Sequence, residues 1–145
     1  VGSCGSFHPD LHVRDIVIAM GACTNGSFAN QFGMPGTFAP IADFDLVRRA
    51  AELCEAKGVN YKVGNIFSSD MFYNAAGTDM EWAKMGVLGV EMESAALYCN
   101  AAWTGKKALC ICTVSDNFLC PEENATVEER QNSFTDMMEV ALGLV

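Results

Sequence analysis

Residues 108–114, Ala-Leu-Cys-Ile-Cys-Thr-Val, form an apolar stretch of strand length with no polar alternation. A strand with one wet face alternates, so a continuous run implies cover on both faces, the arrangement of a parallel sheet between helices. The rest of the chain supplies such cover. Asp43 can cap a helix through Lys57, because Leu46, Val47, Ala50, Leu53 and Cys54 recur at helical spacing and Gly58 supplies the stop. Val1–Gly5 reads as the end of a strand entering a Gly-rich turn. Asp15–Met20, Val59–Phe67 and Val87–Val90 read as strands, and Thr78–Met85 and Glu93–Trp103 as helices, the second ending at Gly105. Residues 22–42 carry glycines, prolines and phenylalanines without periodicity and read as a long, functionally suggestive loop. A capping box of Thr126 and Glu129 opens a final helix, on which Phe134, Met137, Met138, Ala141, Leu142 and Val145 make one apolar stripe. Alternation of this kind means α/β with a largely parallel sheet.

Composition narrows the function classes. The 145 residues are one domain's worth of chain. A formal charge of −9 argues against nucleic acid or an anionic membrane as partner, because phosphates are gripped by clustered Lys and Arg. No basic run exceeds the pairs Arg48-Arg49 and Lys106-Lys107. No unbroken apolar run is longer than Ala108–Cys112, far short of a membrane span. The seven cysteines are odd in number, lack a CxxC spacing and are accompanied by only two histidines, so neither a zinc site nor a disulfide framework is expected. Thiols in apolar surroundings behave as small hydrophobes and fit a reducing compartment such as the cytoplasm.

In α/β sheets ligands bind beyond the carboxyl ends of the strands. Four segments there combine polar and apolar groups: Gly2-Ser3-Cys4-Gly5, Ser69–Tyr73, Val90–Glu93 and Ser115-Asp116. Glu91 and Glu93 place two carboxylates at the start of an apolar helix. One is accounted for as a partner of the helix dipole; the other could accept two hydrogen bonds from a vicinal diol such as that of ribose. Ser115-Asp116 is either an ordinary turn or cap, or an acid whose pKa is raised by apolar walls into the range of a general acid. Arg130 lies either on a solvated helix face beside Glu128 and Glu129 or folded back onto Asp116. Phe72 covers the edge of a core or offers a face to a nucleobase.

The segments VGSCG, RDIVIAMGACT, FAPIADFDLVRRA, VGNIFSSDMFY, GVLGVEMESAALY, ICTVSD and ATVEERQNSFTDMMEVAL, in that order, closely resemble the bacterial hexamer-forming purine nucleoside phosphorylases of the nucleoside phosphorylase superfamily. The resemblance implies a three-layer α/β fold with a central mixed, largely parallel sheet flanked by helices. It also implies that residues 1–145 are the C-terminal portion of a single domain, the N-terminal part, with the Gly-rich phosphate loop and phosphate-binding arginines, being absent. The implied reaction is phosphorolysis of purine (deoxy)ribonucleosides to base and pentose 1-phosphate, with inorganic phosphate as co-substrate and no metal or organic cofactor. Residue by residue, Asp116 matches the acid that protonates purine N7, and Arg130 matches the arginine that swings toward it when the final helix kinks. Glu93 matches the holder of the ribose hydroxyls, Met92 packs on the sugar, and Val90, Glu91 and Ser115 belong to the same binding segments. Phe72 matches the base-stacking aromatic, Ser3 a phosphate ligand, and Cys4-Gly5 the backbone lining of the base pocket. A trimer of dimers is the implied assembly of the full-length protein.

The sequence departs from the family pattern at Asn117, where a His often stands, in a loop to Arg130 longer by one residue, and in residues 25–38, where basic residues are usual. The resemblance also reaches uridine phosphorylases, which lack the Ser-Asp acid, and water-using nucleosidases, which are not expected to carry Arg130 in this context. A nucleoside-binding module without turnover is the rival from another class.

Overall fold

The computed structural model describes residues 1–132 and 134–145. Five strands, β1 (Gly2–Ser6), β2 (Ile16–Thr24), β3 (Tyr61–Ser68), β4 (Gly89–Glu91) and β5 (Cys110–Asn117), alternate with helices α1 (Phe44–Lys57), α2 (Asp79–Ala83), α3 (Ser94–Thr104), α4 (Val127–Asn132) and α5 (Thr135–Leu142). The sheet runs β1-β4-β3-β2-β5 and closes on itself between β5 and β1. Pairing is parallel at β2/β3, β3/β4 and β1/β5, and antiparallel at β1/β4 and β2/β5. The expected α/β fold with a mixed, largely parallel sheet is therefore observed.

The apolar run at 108–114 is covered on both faces, as its lack of alternation requires. Cys110, Cys112 and Val114 pack into one cluster with Leu11, Val17 and Tyr98. Ile111 points the other way, into a cluster with Ile18, Val47, Phe134 and Met137. Tyr98 brings its hydroxyl from α3 into this interior, donating to the Ala19 carbonyl and accepting from the Cys110 amide at 2.9 Å. One phenol thereby satisfies a backbone group on each of β2 and β5 that burial would otherwise strand.

Helix α1 follows its sequence signals closely. Asp43 accepts from the Leu46 amide, and Gly58, at φ 70°, closes the C-terminus in the left-handed conformation that favours glycine. Elsewhere the boundaries differ. β1 is a paired strand to Ser6 rather than a strand end entering a turn. β5 continues through Ser115 and Asp116, so the acid lies inside the ladder rather than after it. The expected single final helix is two, α4 and α5, and its expected course through residue 133 lies outside the described residues. Phe134 is non-helical at φ −95°, ψ 44°, with its side chain buried beside Met137. Two anchors with different directions, Arg130 toward β5 and Phe134 toward the core, are thereby both accommodated.

Candidate active site

Strand β1 lies between β4 and β5, and this brings three of the four segments together. Gly5 sits opposite Val90 on one side and Asp116 on the other. The ladder slips between Cys4 and Gly5, whose partners are Val114 and Asp116, leaving Ser115 as the extra residue of a bulge. Bulges re-aim side chains. Here Ser115 Oγ donates to Asp116 Oδ2 at 2.7 Å and lies 3.4 Å from the Cys4 carbonyl. At Gly5 the Phe118 ring packs against the backbone, in the space a Cβ would take. The fourth segment follows β3, which pairs with β4 through Phe67–Val90 and Ser68–Glu91.

A cavity of about 560 Å³ opens where these segments meet. Ser3, Cys4, Gly5, Phe72, Val90, Glu91, Met92, Glu93, Ser115, Asp116 and Arg130 all line it. Its walls also include residues that the sequence did not mark as lining: Met71, Asn117, Phe118, Pro121 and Asn124. Asn117 is the best connected of them. Its backbone N–H donates to Asn124 Oδ1 at 2.8 Å; its Oδ1 accepts from the Leu119 and Cys120 amides, and its Nδ2 donates to the Leu11 carbonyl and Glu123. An Asn followed by a turn was the available signal, but its distant partners are set by tertiary structure. Phe118 packs edge-on against Phe7 at 5.1 Å, and Phe72 against Tyr73 at 5.0 Å.

The two carboxylates of the Val90–Glu93 segment have different surroundings. Glu91 is buried and accepts from the Glu93 and Ser94 amides, both at 2.8 Å, and from the Ser94 hydroxyl. It holds the start of α3, where the helix dipole also favours an anion. Glu93 makes no capping bond and stands exposed on the cavity wall. It is the carboxylate left available to a ligand.

Arg130 folds back onto Asp116 rather than lying on a solvated face. Its Nη1 and Nη2 donate to Asp116 Oδ2 and Oδ1 at 3.0 and 2.7 Å, with further bonds to Ser115 Oγ and the Ala125 carbonyl at 3.2 Å. This bidentate fork corrects the expectation of a raised Asp116 pKa. Desolvation does push it up, but the bonds from Arg130 and Ser115 and the Arg130 charge outweigh it, so the carboxyl lies below its ordinary value. Asp116 is an anion held by its arginine.

The sequence pattern of the phosphorylase superfamily matches residues 1–145. A purine nucleoside phosphorylase DeoD-type of Clostridium novyi is 51% identical over 99% of this chain and 62% of its own length. Proteins of the same description from Xenorhabdus nematophila and Geobacillus kaustophilus are 50% and 49% identical, each over 98% of this chain. The chain spans about 60% of the length of these relatives.

Proposed function

The chain belongs to the phosphorylase superfamily, and from that premise we propose that it is a purine nucleoside phosphorylase, with Asp116 as the acid and the cavity as its nucleoside site. The observation that carries this reading is the Asp116–Arg130 fork on the wall shared with Glu93, Phe72 and Ser3. Phosphate attacks C1′ of the pentose while the C1′–N9 bond breaks. The electron pair passes into the purine, which takes a proton at N7 by way of Asp116. A purine anion is a poor leaving group, and a positioned acid contributes about 10²–10⁴-fold. Asp116 is an anion while Arg130 holds it. When the entering base displaces the fork, desolvation raises the carboxyl's pKa and it takes a proton from solvent. It passes that proton to N7 and is stabilised again by Arg130 once the proton has gone.

Glu93 accepts from the ribose hydroxyls, with Met92 against the sugar. Phe72, 77% exposed, stacks on the base, and Cys4-Gly5 present backbone to its edge. Ser3 is the phosphate ligand. Val90, Glu91 and Ser115 act by shaping the walls. Inorganic phosphate is the co-substrate, and the chemistry asks only for its placement and for positive charge near C1′.

One observation favours a second reading, nucleoside binding without turnover. Among the described lining residues Arg130 alone is cationic, and Asp116 occupies it. Inosine turnover with and without phosphate, run beside calorimetric titration of inosine, separates these. Turnover that needs phosphate supports the phosphorylase; undiminished turnover without phosphate would indicate a nucleosidase, and binding alone a module. The free cysteines fit the cytoplasm. A trimer of dimers is proposed as the assembly, and the mass of the protein in solution checks it.

A further inference from the structure

The connection between β1 and β2 carries none of the segments that form the cavity. Within it Arg14 stands at φ 80°, the one non-glycine residue with positive φ among the described residues. A side chain there is strained, and such strain persists only where surrounding structure imposes it. The surroundings are visible. The Arg14 amide donates to the Val114 carbonyl at 2.9 Å, and the Val114 amide donates to the Asp15 carbonyl at 2.8 Å. Arg14 is thus clamped beside β5, two residues before Asp116.

From this position its guanidinium pairs with Glu129. The same Glu129 carboxylate closes the capping box of α4, accepting from the Thr126 amide at 2.9 Å and the Thr126 hydroxyl at 3.1 Å. Helix α4 has six residues, and none of those whose burial is described is buried. A helix that short does not persist on its own propensity. Among the described side chains, the pair with Arg14 is the hydrogen-bonded tie between α4 and any part of the chain outside 115–130.

We propose that Arg14 is a positioning residue that acts through Glu129, fixing the first turn of α4 so that Arg130 meets both oxygens of Asp116. The assignment of a rate effect rests on the proposed phosphorylase reading; the structural link from Arg14 to Asp116 does not. Among the described residues that line the cavity, the charged groups beside Asp116 are Arg130, in contact with it, and Glu91 and Glu93.

The backbone conformation of Arg14 supplies a clean test, because glycine adopts φ 80° without strain. Arg14→Gly removes the guanidinium while keeping or improving the fit of the backbone. The Asp116 carboxyl is followed by carbon NMR against pH and assigned by its loss in Asp116→Asn. In Arg14→Gly its midpoint is expected to rise toward the ordinary carboxylate value, with the melting temperature unchanged or higher. Inosine phosphorolysis should lose about two- to fivefold in kcat with KM unchanged, the scale of a partly exposed ion pair. Arg14→Lys, which keeps the charge, should restore much of both. Adding Glu129→Gln to Arg14→Gly should change neither further, since both act through one link. An Asp116 midpoint that does not move in Arg14→Gly overturns the proposal. So does a shift that merely tracks a lowered melting temperature. If the unsubstituted protein turns over no nucleoside, the phosphorylase reading fails while the carboxyl titration still decides the role of Arg14.

Discussion

The two partners of the Asp116–Arg130 pair are held by different physics. Asp116 is part of a ladder: β5 is bonded to β1 on one side and β2 on the other, and its run of side chains is buried on both faces. Arg130 rides on α4, which offers no described side chain to the core and is located by Thr126, Glu129, Arg14 and Asp116 itself. One partner is placed by backbone register and apolar burial, the other by a few polar side chains. A pair divided in this way can keep its carboxylate fixed while its cation is the part that yields to a ligand.

The largest expected effect tests the fixed half. Asp116→Asn should lower inosine turnover by about 10²–10⁴-fold while nucleoside binding and the circular dichroism spectrum persist, because the ladder rather than the carboxylate holds residue 116. Unchanged turnover would remove the acid from the mechanism. Hydrogen exchange contrasts the halves directly. Amides of β5 should exchange at least ~10²-fold more slowly than those of α4, since exposed, locally supported elements open without global unfolding; equal rates would erase the distinction.

Smaller effects sharpen it. Tyr98→Phe strips the hydroxyl that serves Ala19 and Cys110, and should cost about 1–3 kcal/mol in denaturant unfolding by leaving buried backbone groups unpaired. Thr126→Ala removes the cap of α4 and should cost about 1 kcal/mol locally. Its signature is a loss of turnover and faster exchange in α4 with little change in the unfolding midpoint. The smallest effect is electrostatic. His12 Nδ1 lies 3.0 Å from Glu123, and that bond and charge raise the His12 pKa above 6.5. The stabilisation is therefore present below pH 6.5 and lost as pH rises through the raised value. Melting temperatures across that range should converge with those of His12→Gln at high pH.

Legibility followed the range of the forces involved. Helix α1 could be read because its cap, stripe and stop lie within one segment. The division of labour between Glu91 and Glu93 was half legible: one acid was expected at the helix start, but which one depended on how the end of β4 and the entry to α3 aim each side chain. The direction of the Asp116 shift was misjudged from the sequence because apolar walls were visible there and Arg130, fourteen positions on, was equally compatible with solvent. Arg14 gave no sequence signal, since a left-handed arginine is spelled like any other.

The sequence by itself determined the α/β alternation, the double-sided burial of β5 and the four strand-end segments that supply much of the cavity wall, because periodicity, capping and strand-end chemistry are local. Tertiary structure alone decided that β1 inserts between β4 and β5, that the ladder slips at Ser115, and that Arg130 grips Asp116. These depend on register and on contacts between residues far apart in the chain, and no local preference encodes them.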